Sequence, residues 1–383
     1  MQDTKSRKKI GLILSGGGAR AAYQVGVLRA IANILPRGIT NPFHVISGTS
    51  AGALNAVALA THAQRLRTGV RTLEYVWQNL TSSKVYRLDS GGIIGSTSNW
   101  ILAFVTGRQT ETPVSLLNNA PLGELLAGTL KFERIQRNID TGLLDAIAVT
   151  ASSYTSGESV SFYQAMKGLQ DWEGPHRIGV RSKITLAHLM ASSAIPTIFP
   201  AVRIGDHYFG DGSIRQLAPT STALHLGARK ILAIGVSATR GRRMRKSPDP
   251  PTPSLSQIIG HILNSAFVDT LENDLEFLRH LNEVLPHVPK ARIRKNHLRH
   301  QVVDLLEISP SQDLNAIAAE HYDSLPKSMR LFVKDPHSTI LSLLLFEPSF
   351  CNALLQLGLA DGLAKREEIL QFFGESVTDQ QAL

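Results

Sequence analysis

Gly48-Thr49-Ser50-Ala51-Gly52 is the one Gly-x-Ser-x-Gly stretch of the chain, and it lies where a short apolar run gives way to a run of small apolar residues. A serine at the tip of a sharp strand-to-helix turn is held in a strained backbone conformation, and small flanking residues let strand and helix approach. Its hydroxyl is lifted clear of the main chain, where a carbonyl carbon can reach it. A serine hydroxyl is a weak nucleophile, so acyl chemistry also needs a base within hydrogen-bond reach and donors aimed at the oxygen that becomes negative. Ser15-Gly16-Gly17-Gly18 can supply the donors. At a helix start, consecutive backbone N–H groups free of side chains point at an anion, and the helix dipole favours negative charge there.

The base is less plain. An acid followed by a histidine is the usual order after such a serine, but none of the 13 histidines stands out by its context. His44 opens the strand before Ser50, His207 lies in a hairpin, and His225 lies in a helix-like stretch. Asp211, bracketed by Gly210 and Gly212, sits on a tight loop at a strand end, where reactive groups tend to be displayed, although Asp-Gly is also a common plain turn. Arg20, one step into the helix after the glycines, could reinforce the anion site or bind a lipid phosphate. The same loop fits a dinucleotide fingerprint, G-x-G-x-x-A, from Gly16 to Ala21. That fingerprint expects an acidic residue roughly 20 positions on, and residues 33–55 contain no Asp or Glu.

The elements that must position these groups follow an α/β plan. Ile10 to Leu14 reads as a short buried strand stopped by the glycine turn, and apolar residues at Ala22, Val25, Leu28, Ile31 and Leu35 mark an amphipathic helix ended by Pro36 and Gly38. Phe43 to Ser47 reads as a second strand, and Ala53 to Ala60 as a helix packed tightly on a sheet. Strand, glycine loop, helix, strand, tight turn and buried helix imply parallel strands. Further strands are expected at 146–151, 160–163, 202–204 with 207–209 around a Gly205-Asp206 turn, 230–236 and 302–308. Composition shifts after Ser237: residues 240–246 are basic and 247–253 proline-rich, which reads as a linker over 238–253. Ser254 with Gln257 makes a capping box. A long apolar stripe follows from Leu255 to Leu281, and the tail at 352–373 is helical in pattern.

With 383 residues, 43% hydrophobic and 19% charged, the chain can bury a large core, which excludes disordered and collagen-like classes. The single cysteine, Cys351, excludes an internal disulfide framework and a cysteine-rich zinc site. The net charge of +9, clustered at Lys5–Lys9, 240–246 and 290–299, suits any polyanion, including an anionic membrane surface. No zinc finger or interleaved aromatic pattern accompanies it, so nucleic acid is not the expected partner. Neither a signal peptide nor a bilayer-spanning run is visible, so the expected location is cytoplasmic, with peripheral attachment to membranes allowed by the charge.

Together these residues resemble the patatin-like phospholipases, lipid acyl hydrolases with a three-layer α/β/α fold and a mainly parallel sheet. Gly16-Gly17-Gly18-Ala19-Arg20 is similar to that family's G-G-G-x-[R/K] loop, Gly48 to Gly52 to its G-x-S-x-G elbow, and Asp211-Gly212 to its D-G-[G/A] loop; Ala191 to Pro196 with Phe199-Pro200 is similar to its lead-in. The likeness covers residues 8–237 as a catalytic domain, with 254–383 a mostly helical C-terminal extension. It implies Ser50 as nucleophile, Asp211 as base without a histidine, the Gly16, Gly17 and Gly18 amides as oxyanion hole, Arg20 as a substrate contact, and phospholipid or lysophospholipid as substrate. Such chemistry requires neither a metal nor an organic cofactor. Ala21 and Ser213 depart from the family pattern, which expects glycine after the basic residue and glycine or alanine after Asp-Gly. A catalytically silent lipid-binding or scaffold protein on the same fold is the alternative.

Overall fold

A computed structural model of the chain describes residues 8–87, 115–238, 270–289, 301–330 and 333–378, together with Thr252, His261 and Ser265. The basic runs at 240–246 and 290–299, the 247–253 stretch apart from Thr252, and the Ser254 and Gln257 capping signature lie outside the described residues.

The strands are β1 (Ile10–Leu14), β2 (Val45–Thr49), β3 (Ala146–Ser153), β4 (Ser159–Ala165), β5 (Trp172–Gly174), β6 (Arg177–Arg181), β7 (Val202–Ile204), β8 (His207–Asp211), β9 (Lys230–Ile234) and β10 (Asp304–Ile308). They form one mixed sheet in the order β10-β9-β1-β2-β3-β4-β6-β5, with the β7–β8 hairpin joined through β8 to β3. The five strands from β10 to β3 run parallel, whereas β4 and β8 pair antiparallel with β3. Leu14 is in register with Gly48. The glycine loop and the serine turn therefore leave adjacent strands at the same end of the sheet, where parallel α/β sheets present their ligand sites.

The side-chain period of two sorts the strands onto two faces. Leu12, Leu14, Ile46, Val149, Leu232 and Ile234 join the larger core on one face. Ile13, Val45, Ala148, Ile231 and Ala233 join the smaller core on the other. Helices cover both. The larger core holds residues of α1 (Ala22–Ile34), α2 (Ala51–Thr61), α3 (Leu66–Gln78), α4 (Ala120–Thr129), α5 (Glu133–Asp140) and α6 (Leu186–Ser192). Residues of α7 (Pro219–His225) and α8 (Thr270–Val284) pack into the smaller core. Within α8 the tail of the predicted apolar stripe, Leu271, Leu275 and Leu278, is buried against the sheet.

The C-terminal region is built into the same body, not appended to it. β10 extends the sheet beside β9. The longer helices of this region are α9 (Leu314–Glu320), α10 (Thr339–Leu344), α11 (Pro348–Ala364) and α12 (Arg366–Thr378). α11 lies against α1 so closely that a Cβ on Gly358 would stand 2.1 Å from the Tyr23 carbonyl oxygen. Tyr23 Oη donates to Asp361 across the same seam at 3.0 Å. Eleven of the thirteen residues of α1 are buried as a result, since it has the sheet on one side and α11 on the other.

Candidate active site

Ser50 stands between β2 and α2 with φ 53° and ψ −131°, a region that non-glycine residues rarely occupy. Two contacts hold it there. A Cβ on Gly52 would lie 2.3 Å from the Leu14 carbonyl oxygen and 2.5 Å from that of Ser15, so only glycine lets α2 start against the glycine loop. The Ser50 N–H donates to Ser192 Oγ at 2.9 Å, and that hydroxyl donates to the Thr150 carbonyl at 2.6 Å.

Asp211 comes to the same point from β8. Its strand is registered against β3 with Asp211 opposite Ala151, and its N–H donates to the Ala194 carbonyl at 2.8 Å. Ser50 Oγ donates to Asp211 Oδ2 at 2.6 Å, while Asp211 Oδ1 accepts from the Ser213 N–H at 2.9 Å. Asp211 is 0% exposed. Burial disfavours its charged form and pushes the carboxyl up to about 7, against which the donors from Ser50 and Ser213 pull. A carboxylate with a pKa near neutrality, hydrogen-bonded to a hydroxyl, can take that proton when the oxygen attacks. The histidines considered as bases lie elsewhere: His44 Nδ1 accepts from the Ile10 N–H at the start of β1, His207 is exposed on the hairpin, and His225 stacks on Trp172.

The glycine loop borders the serine directly. Gly18, at φ +55°, lines one cavity with Ser50, and a Cβ there would fall 2.1 Å from the Leu343 carbonyl oxygen. Gly17 packs on Val236, and Gly16 shares a second, small cavity with Thr49 and Ser213. Arg20 is placed otherwise than expected. Its side chain is 2% exposed, Nε donating to Ser342 Oγ at 2.9 Å and Nη2 to Asn315 Oδ1 at 2.8 Å. Burial lowers its pKa to about 10 despite the opposing charge of Asp313. Arg20 thus fastens the turn after the glycine loop to α9 and α10 and is not open to a lipid phosphate.

The cavity at Ser50 has a volume of about 70 Å³ and an apolar wall, including Leu54, Leu73, Trp77, Leu125, Leu126 and Phe199. Most of this wall escaped the sequence reading. The spacing of Leu66, Val70, Leu73 and Trp77, one buried stripe along α3, is the signal that marks part of it. Among the described residues, no group of three or more His, Cys, Asp or Glu could hold a metal ion, and no helix is long and apolar enough to cross a membrane.

A family model described as patatin-like phospholipase matches residues 12–224. A cGAMP-activated phospholipase of Pseudomonas aeruginosa is 28% identical over 219 residues, which is 56% of this chain and 55% of that protein. The chain therefore spans about half the length of that relative. Among solved structures, human GIVD cytosolic phospholipase A2 is similar at a TM-score of 0.44 and 15% identity, over 99% of this chain and 61% of that one. VipD from Legionella pneumophila is similar at 0.34 and 14%, over 88% and 67%.

Proposed function

Since the protein belongs to the patatin-like phospholipase family, its matched region taking in more than half of the chain, we propose that it is a serine lipid acyl hydrolase that cleaves carboxylic esters of glycerophospholipids or lysophospholipids. The observation that carries this reading is the 2.6 Å hydrogen bond from Ser50 Oγ to a fully buried Asp211, made at the wall of an apolar cavity. Ser50 Oγ attacks the ester carbonyl carbon as its proton passes to Asp211 Oδ2. The oxygen that becomes negative is held by the N–H groups of Gly16, Gly17 and Gly18. The tetrahedral centre collapses, the C–O bond to the leaving alcohol breaks, and Asp211 returns the proton to that oxygen. Water, deprotonated by Asp211, then attacks the acyl-Ser50 carbonyl carbon; the bond to Ser50 Oγ breaks, Asp211 returns the proton to that oxygen, and the fatty acid leaves.

The cavity suits the acyl chain because its wall offers almost no competing polar group. At about 70 Å³ it is smaller than the roughly 300–1,000 Å³ of ligand pockets, so the chain enters by displacing flexible side chains such as Leu125 and Leu126. The testing experiment is fatty-acid release from mixed phospholipid and lysophospholipid vesicles by wild type, Ser50→Ala and Asp211→Asn, with folding checked by circular dichroism. Release by wild type and loss in both folded variants is expected. Loss in Ser50→Ala alone removes Asp211 as the base, and a folded wild type that turns over neither lipid nor an activated ester removes the enzyme reading in favour of a lipid-binding scaffold.

A further inference from the structure

A second cleft, of about 330 Å³, opens at the other end of the helix that begins at Ser50. Its volume is within the range of small-molecule sites, but its lining is unlike that of the apolar cavity. Arg65, Arg134 and Arg137 surround it with Thr61, His62 and Thr68, and among the described residues no Asp or Glu lines it. The three guanidinium groups come from two parts of the fold. Arg65 immediately precedes α3, whereas Arg134 and Arg137 are one turn apart on α5. None of the three forms an ion pair with a described residue, although Arg29, Arg203, Arg279 and Arg330 do.

The frame of the cleft is rigidly built. Asn138 Nδ2, buried, donates to the Ala60 carbonyl at 2.7 Å and locks α5 to the last turn of α2. The Arg65 N–H donates to the His62 carbonyl at 3.1 Å and fixes the turn between α2 and α3. Three like charges gathered around one cleft, with no counter-charge among the described residues that line it, repel one another, and a bound anion relieves that repulsion. The planar fork of a guanidinium matches the oxygens of a phosphate group in pairs. We propose that Arg65, Arg134 and Arg137 form a binding site for a phosphate-bearing anion, separate from the ester-cleaving site. The eleven residues of α2 put about 16 Å between its two ends. The phosphate can belong to a soluble phosphoester or to a lipid headgroup, and the two sources are separable.

The test is direct binding to the full chain. Pyrophosphate is titrated calorimetrically into wild type, Arg65→Gln and the double variant Arg134→Gln/Arg137→Gln. The same proteins are sedimented with phosphatidylcholine vesicles with and without phosphatidylglycerol. Near-ultraviolet circular dichroism checks folding, and the single variant Arg137→Gln replaces the double one if that fails to fold. Hydrolysis of a soluble activated ester in the absence of phosphate should stay within about twofold of wild type, because none of these residues lines the cavity at Ser50. Pyrophosphate binding that weakens at least about tenfold in the variants supports a soluble phosphoester site. Vesicle binding that requires phosphatidylglycerol and is lost in the variants, without pyrophosphate binding, supports a headgroup site. Equal behaviour of wild type and variants toward both probes overturns the proposal, whatever the outcome at Ser50.

Discussion

Replacing Asp211 with Asn separates the cost of a buried charge from the chemistry proposed for it. Burial raises this carboxyl from 3.8 to about 7. Between those values the folded protein keeps a proton that the unfolded chain has released, so stability falls as pH rises through this window and levels off above about 7. A gap of about 3 units at ~1.4 kcal/mol each makes the full loss about 4 kcal/mol, an order-of-magnitude figure. About 1.5 kcal/mol of it is incurred by pH 5 and nearly all of it by pH 8. Asparagine does not titrate and fits the same contacts: Oδ1 accepts from the Ser213 N–H, and Nδ2 donates to Ser50 Oγ. The stability of Asp211→Asn relative to wild type should therefore rise by about 2.5 kcal/mol between pH 5 and pH 8. Taking this difference of differences cancels every other titrating group. Urea denaturation of both proteins at several pH values, followed by tryptophan fluorescence, measures it, while ester hydrolysis at pH 8 should fall by about 10²–10⁴-fold. A pH-independent stability difference, or one of opposite sign, would falsify the claim that Asp211 is held above the usual carboxylate range by burial.

Four further outcomes follow from the same geometry. The acid limb of the kcat/KM profile should have an apparent pKa of about 7, with activity falling tenfold per unit below it; a limb near 4 would remove Asp211 as the titrating base. Gly52→Ala pushes a Cβ toward two backbone carbonyls, and a loss of about 1–3 kcal/mol in stability together with most activity is expected from thermal melts and ester assays. Ser342→Ala takes away the acceptor of Arg20 Nε, which should cost about 1–3 kcal/mol and lower kcat with little change in KM; an unchanged kcat would mean that this anchor does not position the glycine loop. Leu126→Trp fills the apolar cavity, so hydrolysis of long-chain esters should drop at least about tenfold relative to an acetyl ester, and equal loss for both would place the acyl chain elsewhere.

Much of the local architecture is legible in the chain itself. β1, the serine turn, the β7–β8 hairpin and the strand at 304–308 follow from apolar runs bounded by Gly, Pro and Asp, because such signals act over a few residues. The strands at 172–174 and 177–181 were not anticipated; each is short and only partly buried, so neither carries a clear apolar period. The first helix begins as a 3-10 turn over Gly18–Ala21 before α1, since the left-handed Gly18 delays regular helix geometry.

The serine on its turn and the glycines beside it were determined by sequence, since tight turns and close approaches restrict residue type one position at a time. Residue type and spacing alone left the acid open, and only the family resemblance pointed to Asp211, because it lies 161 residues away and reaches Ser50 through the antiparallel pairing of β8 with β3. For the same reason the role of Arg20 eluded a local reading. Its partners Ser342 and Asn315 come from 322 and 295 residues along the chain, and only the docking of the C-terminal helices turns an apparent anion contact into a buried anchor. The cleft of three arginines is likewise a product of packing: Arg65 and the pair Arg134 and Arg137 lie about 70 residues apart in the chain and meet because Asn138 holds α5 against the end of α2.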